Sequence, residues 1–337
     1  MKNANVAIFI PFYGCPHKCS FCDQNNITGI KESAPDELKV RGIIENSLKF
    51  LGENIKNSEI AFFGGTFTAI DKDYMIMLLK IADEYVKKYS FKGIRVSTRP
   101  DAINEEILTI LKKYNVTSIE LGAQSMDDTV LLINNRGHTS QDTINASKKI
   151  KKFGFSLGLQ MMAGLYGDND DACIDSAHKM ALLEPDTMRI YPCVIIKGTM
   201  LQNLYTEKKY IPLNLEQAVD LCSKLILFFN MKKINIIRVG LHCENELIEN
   251  IIAGPYHPAF RELCDNKIYA DIILNKINSG KYSKNLNIFV GTKELSKAIG
   301  QKKGNLKKLN DLGYNAKFFT DDNLKKHEII INSRKEF

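Results

Sequence analysis

Short runs of apolar and β-branched residues alternate along this chain with longer stretches in which apolar residues recur every three or four positions. The short runs, Val6–Phe12, Glu59–Phe63, Gly93–Thr98, Thr117–Gly122, Ser156–Met162 and Met188–Ile195, read as strands. The longer stretches, among them Tyr74–Tyr89, Asn104–Tyr114 and Asp142–Phe153, place apolar side chains on one helical face and charges on the other. A strand followed by a helix, six times over, predicts a parallel sheet with crossover helices. Six such units suit an α/β fold of the partial (β/α)6 TIM-type barrel kind better than a flat sheet. Functional side chains in such a fold gather at the carboxyl ends of the strands.

After Pro212 the pattern changes. A long helical stretch, Leu213–Phe229, leads to the apolar run Ile234–Leu241 and the turn-rich segment Ala253–Phe260, which together read as a region closing the barrel. Beyond it lie strand-like Leu286–Val290, helix Lys293–Ala298, the loop Ile299–Asn305, helix Leu306–Asp311, strand Ala316–Thr320 and a last strand at Glu328–Ile331. The expected organisation is a barrel with its closing region over residues 1–283 and a small basic α/β unit over 284–337.

Composition sharpens this. The chain has 337 residues and a net charge of +7, and residues 284–337 hold 12 Lys/Arg against 6 Asp/Glu, so +6 of that charge sits in the tail. A basic tail fits a nucleic-acid surface, and it also fits the lysine-rich bias visible throughout the chain. No apolar run approaches the roughly 18 residues of a membrane span, and the start, Met1-Lys2-Asn3-Ala4-Asn5, has no signal-like character. The expectation is a cytoplasmic protein with no membrane partner. Eight cysteines in a chain this long do not make a disulfide scaffold. Cys173, Cys193, Cys222, Cys243 and Cys264 are scattered and read mostly as small core residues.

The other three cysteines form Cys15-Pro-His-Lys-Cys19-Ser-Phe-Cys22, directly after the first strand. Thiolates so close in sequence can hold a small iron–sulfur cluster while leaving one iron without a protein ligand. Structural zinc would need a fourth ligand, for which only His17 inside the loop is at hand, and plain reduced thiols are the third reading.

This C-x3-C-x2-C spacing, with Phe21 before the third cysteine, resembles the radical S-adenosylmethionine superfamily. The resemblance implies a 4Fe-4S cluster on Cys15, Cys19 and Cys22. Its open iron would hold the amino and carboxylate groups of S-adenosyl-L-methionine, which is cleaved reductively to a 5'-deoxyadenosyl radical. A reducing electron donor such as ferredoxin or flavodoxin would be required. Phe21 would meet the adenine or serve as core, and Gly64-Gly65-Thr66 would let the backbone approach the methionine amino group. Ile119-Glu-Leu-Gly-Ala-Gln-Ser125 and Asn135-Arg-Gly-His-Thr139 are similar to oxygen-independent coproporphyrinogen oxidase and, more closely, to the radical domain of the Elongator catalytic subunit. Phe62–Phe67, Val96–Asp101 and Arg189–Thr199 resemble the latter as well. By that resemblance Gln124 would hold the ribose hydroxyls and Arg136 the methionine carboxylate, with Ser97 and Gln160 at neighbouring strand ends. Arg136 could otherwise pair with a structural Asp.

The resemblance covers about residues 5 to 265. It departs from the Elongator subunit in the tighter spacing of the first two cysteines and in having no counterpart of the acetyltransferase domain, so the full Elongator reaction is not implied. Tyr191 and Lys197, with Arg238 and His257 further on, are candidate catalytic groups on the substrate side, and His257 could instead stabilise its own turn. The segment Ala298–Asn305 resembles the phosphate-clamping loop of a KH domain, although its glycines are four apart. Gly300, Lys302, Lys303, Gly304, Lys307 and Lys308 are therefore candidate RNA contacts. The leading expectation is a radical enzyme modifying RNA, most naturally tRNA, with no DNA partner. The alternatives are a radical enzyme acting on a small molecule, cofactor precursor or peptide, and a non-catalytic RNA-binding protein with a structural cluster.

Overall fold

A computed structural model describes residues 5–10, 14–15, 18–23, 34–241 and 245–333, without the side chains of 245 and 246. The expected end of the first strand, His17 and Cys243 lie outside these residues. Two compact units are present, one formed by residues 1–214 with 229–256 and the other by 215–228 with 257–337.

The first unit is built on strands β1 (Asn5–Ile10), β2 (Glu59–Gly64), β3 (Gly93–Thr98), β4 (Val116–Gln124), β5 (Ser156–Ala163) and β6 (Thr187–Pro192). The next strands are the two-residue β7 (Ile195–Ile196), then β8 (Asn235–Val239) and β9 (Ile251–Ala253). Seven of them form one parallel sheet in the order β1-β2-β3-β4-β5-β6-β8, curled into a half-barrel. Six units were expected; the seventh strand is the run at Ile234–Leu241, which adds β8 beside β6. The expected sixth strand, Met188–Ile195, is divided: β6 ends at Pro192, and Ile195–Ile196 instead pair antiparallel with β9. Proline offers no amide hydrogen with which to continue a ladder.

Side-chain alternation positions the site. One set of strand residues, Ile60 and Phe62, Ile94 and Val96, Ile119 and Leu121, Leu157 and Leu159, Met188 and Ile190, is fully buried and makes the core. The alternate set carries Glu59, Arg95, Ser97, Glu120, Gln160, Arg189 and Tyr191, which line the concave face. Parallel sheets normally read as near-continuous apolar runs, so this polar set is an exception that needs internal partners.

Helices begin where short polar side chains meet free amides. Asn104 accepts from the amide of Ile107 at 2.8 Å, and Thr139 with Asp142 forms a capping box at the helix Ser140–Lys152.

The second unit contains the helix Phe260–Ser279 and a three-stranded sheet of β10 (Asn285–Val290), β11 (Asn315–Thr320) and β12 (Ile329–Ser333), ordered β11-β10-β12. Strands β10 and β11 are parallel, joined through helices Leu295–Ile299 and Gly304–Asp311, while β12 runs antiparallel to β10. Tyr269, Ile273 and Ile277 of the long helix share a core with Leu286, Ile288, Val290, Leu309, Ile329 and Ile331. That helix precedes the expected boundary at 284, so the tail folds together with residues on its N-terminal side.

Candidate functional site

The cysteine segment is tied down by its polar neighbours. Ser20, fully buried, donates its backbone amide to the carbonyl of Asn134 at 3.1 Å, and the amide of Leu201 donates to the Ser20 carbonyl at 2.9 Å. The Cys22 amide donates to the Cys19 carbonyl at 3.1 Å, closing a turn that brings the two thiols to one side. Burial pushes the Cys22 thiol up to about 12, with Cys19 and Cys15 adding to it, so the three sulfurs feel one another. Cys15 Sγ lies 3.3 Å from Thr66 Oγ1, which joins the first cysteine to the end of β2. Among the described residues no three His, Cys, Asp or Glu side chains converge as a single metal ion requires. A four-iron cluster makes a different demand, since each thiolate takes its own iron.

Beside the thiols, the strand ends present a polar surface with unfilled valences. Gln124 closes β4 in the left-handed region, at φ 65°, where the β4–β5 register shifts between Leu121 and Gln124. Such strain persists only where the surrounding structure enforces it. The shift frees the Gly122 carbonyl, which accepts from Arg136 Nη2, and Arg136 Nη1 donates to Cys19 Sγ at 3.2 Å. The guanidinium also lies 5.9 Å from the ring centre of Phe21, itself half-buried against Val130, Leu165 and Leu201. Among the described residues Arg136 is held by a thiol and a carbonyl, and by no Asp. Arg136 Nε, Gln124 Oε1 and Ser97 Oγ are buried and have no hydrogen-bond partner among the described residues. Buried polar atoms are normally satisfied, so the orphaned atoms of Arg136, which touches Cys19, of Gln124 and of Ser97 leave bonding capacity for a polar ligand. A donor fork, an amide oxygen and a hydroxyl suit a carboxylate and ribose hydroxyls, the groups that S-adenosylmethionine would present.

Gly64 ends β2 at φ 110°, and a Cβ there would come within 2.8 Å of the Ile10 carbonyl oxygen, while the Gly65 amide donates to that oxygen at 2.8 Å. The positive φ and the close approach at Gly64 require glycine. Gly64→Ala is expected to cost about 1–3 kcal/mol of stability and to weaken S-adenosylmethionine binding. Unfolding and binding curves that match the wild type would contradict this.

The concave face holds a feature that sequence reasoning missed. Glu120, fully buried, lies 2.5 Å from Arg189 Nε and 3.4 Å from Arg95 Nη1, and accepts from Gln160 Nε2. Arg95 also reaches Glu59 at 2.7 Å, and Ser118 donates to Glu59 at 2.6 Å. Arg189 continues the chain to the Tyr191 hydroxyl at 3.4 Å and lies 5.3 Å from the ring centre of Phe63. Gln160 is therefore held by Glu120, which sets its orientation. Charges on four of these strands, Glu59, Arg95, Glu120 and Arg189, were the available signal, since a parallel strand rarely carries one. His138 was likewise passed over. Its ring is buried and held near 4, chiefly by burial and then by Arg136 and Arg99, and Nε2 lies 3.3 Å from the Ala123 carbonyl. At neutral pH this places the proton on Nε2 and leaves Nδ1 as an acceptor without a partner among the described residues.

The other candidates are dispersed. Tyr191 is part-buried at the end of β6 within the Glu120 network. Lys197 is exposed after β7, its backbone amide bonded to the Asn250 carbonyl at 2.9 Å. The Arg238 guanidinium is turned to its own strand end, donating to the carbonyls of Gly240, at 2.9 Å, and Leu241. His257 belongs to the second unit, where Nδ1 accepts from the Ala259 amide at 3.0 Å and so stabilises its own turn. In that unit Lys302 and Lys303 sit at φ 51° and 61° between Gly300 and Gly304, and Lys302, Lys303, Lys307 and Lys308 are all exposed. Gly300, at φ 82°, has no room for a Cβ, which would meet the Asn305 amide at 2.8 Å.

Known proteins resemble this chain in sequence and fold. An uncharacterized protein of Methanocaldococcus jannaschii is 31% identical over 220 residues, covering 62% of this chain and 66% of that one. The tRNA uridine(34) acetyltransferase of the same organism is 26% identical over 259 residues, covering 65% of this chain and 48% of that one. The chain thus spans about half the length of the acetyltransferase. The structure of Methanocaldococcus infernus Elp3 superposes with a TM-score of 0.64 at 22% identity, covering 80% of this chain and 63% of that one. Among the described residues no helix is long and apolar enough to cross a membrane. Residues 9–180 match the radical SAM superfamily and 185–270 the radical SAM C-terminal domain. With three thiols at the end of β1 and a polar strand-end surface beside them, the chain belongs to the radical SAM superfamily, whose members carry a 4Fe-4S cluster and use S-adenosylmethionine.

Proposed function

We propose that this chain is a radical S-adenosylmethionine enzyme that modifies tRNA, gripping its substrate through the basic second unit. The observation that supports the first part is Arg136, which donates to Cys19 Sγ and shares the Gly122 edge with Gln124, both with an unpartnered buried atom among the described residues, as has Ser97 at the end of β3. Cys15, Cys19 and Cys22 would hold the cluster, while Arg136, Gln124, Ser97 and the Gly64–Gly65 edge would hold S-adenosylmethionine. When bound, the cluster supplies the electron that cleaves the sulfonium and makes a 5'-deoxyadenosyl radical. The chain's own residues then have three tasks. Arg136 fixes the carboxylate end, Gln124 and Ser97 take hydroxyls, and the neutral ring of His138 braces the bulge that presents Gln124.

Support for tRNA comes from two directions. A relative of this chain is named for acetylating tRNA uridine 34, and the second unit exposes four lysines around a glycine-bounded loop. Tyr191, with Arg189 behind it, is the candidate group facing the substrate, and an electron donor of the ferredoxin or flavodoxin class would be needed. Total tRNA should bind reconstituted protein with an affinity that falls steeply with salt, by about 0.7–0.9 decades per decade of salt for each phosphate neutralised. Replacing Lys302, Lys303, Lys307 and Lys308 together with glutamine should remove two or more from the slope and leave uncoupled S-adenosylmethionine cleavage unchanged. Binding that ignores both salt and these substitutions would overturn the tRNA reading.

A further inference from the structure

A second cationic cluster lies in the tail unit, outside the glycine-bounded loop. One buried carboxylate, Asp265, is shared by three basic side chains: Arg261 Nε at 3.3 Å, His327 Nε2 at 3.3 Å and Lys326 Nζ at 3.4 Å. Beside it Glu294, also buried, takes Lys297 Nζ at 2.8 Å and the Tyr269 hydroxyl at 3.2 Å. The backbone amide of His327 in turn donates to that hydroxyl at 2.9 Å, so the turn at 325–328 is fastened to the helix Phe260–Ser279.

The charges do not balance. Arg261, Lys297 and Lys326 bring three basic side chains, His327 adds a fourth positive charge when protonated, and among the described residues Asp265 and Glu294 are the carboxylates paired with them. Charge-assisted contacts usually close to about 2.7–2.9 Å, and Arg261 and Lys326 stand back from Asp265 at 3.3 and 3.4 Å. Each is therefore only partly neutralised. Lys326 bears the consequence: burial, and then the nearby Arg261, draw its ammonium below the usual lysine range. Arg261, Lys297 and Lys326 keep 28–38% of their side-chain surface exposed, so an anion could reach all three from solvent.

The cluster and the loop are built on the same elements. Asn266, next to Asp265, with its amide turned to satisfy both ends, donates to the carbonyls of Lys297 and Glu262 and accepts from the Gln301 amide at 2.9 Å. Asn305, just past the loop, donates to the Asn266 carbonyl at 2.8 Å. We propose that Arg261, Lys297 and Lys326 form a second phosphate-binding site of the tail unit, taking a backbone phosphate of the RNA whose neighbouring phosphates meet the loop lysines. The site rests on the tRNA reading above and extends it from one loop to a surface of two contacts.

The test uses the full reconstituted chain and two variants, Arg261→Gln/Lys297→Gln/Lys326→Gln and the milder Lys297→Gln/Lys326→Gln, which leaves Arg261 on Asp265 in case the first does not fold. Total tRNA binding is measured from 0.05 to 0.3 M salt, and thermal unfolding is measured with and without inorganic phosphate. The expected result is roughly tenfold weaker binding near 0.1 M salt, a slope reduced by about one to two, and an unchanged rate of uncoupled S-adenosylmethionine cleavage. If the wild type binds tRNA with a steep slope and the variants match it, the site is overturned and the tRNA reading stands. If the wild type itself binds no tRNA, both fail together. Protection by millimolar phosphate without any tRNA binding would reassign the site to a free anion and overturn the RNA assignment.

Discussion

Glu120→Ala is expected to destabilise the barrel by about 3–5 kcal/mol, the loss typical of removing one partner from a buried charge network. Glu120 is fully buried and is the only carboxylate in reach of Arg189 among the described contacts; it also shares Arg95 with Glu59 and fixes Gln160. Its removal leaves Arg189 charged, buried and unpaired on the concave face, where desolvation is not recovered. Glu120→Gln keeps the volume and one acceptor and should cost less, so the difference between the two separates charge from shape. Urea unfolding of both variants checks this, and a Glu120→Ala midpoint equal to the wild type's would show that water or a rearranged arginine compensates. Activity should fall as well, because Arg189 supports Tyr191 and Glu120 supports Gln160.

The second large effect concerns the cysteines. Cys15→Ala, Cys19→Ala or Cys22→Ala should each reduce iron after anaerobic reconstitution far below the wild-type content and bring 5'-deoxyadenosine release to background. Each thiolate is expected to hold a separate iron, and none of the three can be replaced by a neighbour. Cys264→Ala is the control: that thiol is fully buried in the second unit, where burial pushes it up to about 12 and keeps it inert. Iron retained in a triad variant, at wild-type level, would contradict the ligand assignment.

Much of this site was legible in the chain because its signals are local. The three thiols, the Gly64–Gly65 pair and Gln124 follow or close strands that hydrophobic alternation locates, and the parallel order then brings those ends to one rim, while Arg136 comes from the loop between the helices Asp128–Ile133 and Ser140–Lys152. The Glu120 network was not legible, because its members come from β2, β3, β4, β5 and β6 and each reads alone as one polar or charged residue in an apolar run. Only the curled sheet sets Glu120 between Arg95 and Arg189. The seventh strand was hidden in the same way: Ile234–Leu241 follows a long helix, and nothing local tells a closing segment from a strand that pairs with β6. The tail boundary was displaced because Tyr269, Ile273 and Ile277 look like an ordinary helix face until β10 and β12 are placed against them. His257 and Arg238 show the converse, polar residues at promising positions whose own turn or strand end occupies them.

The central claim is that Cys15, Cys19 and Cys22 hold a cluster whose free position, beside Arg136, Gln124 and Ser97, serves to cleave S-adenosylmethionine. Anaerobic reconstitution with iron and sulfide, reduction, and quantification of 5'-deoxyadenosine with and without total tRNA test it most directly. About four irons per chain and release of 5'-deoxyadenosine that depends on all three cysteines are expected. A fully loaded, reduced protein that releases none, with tRNA present, would contradict it.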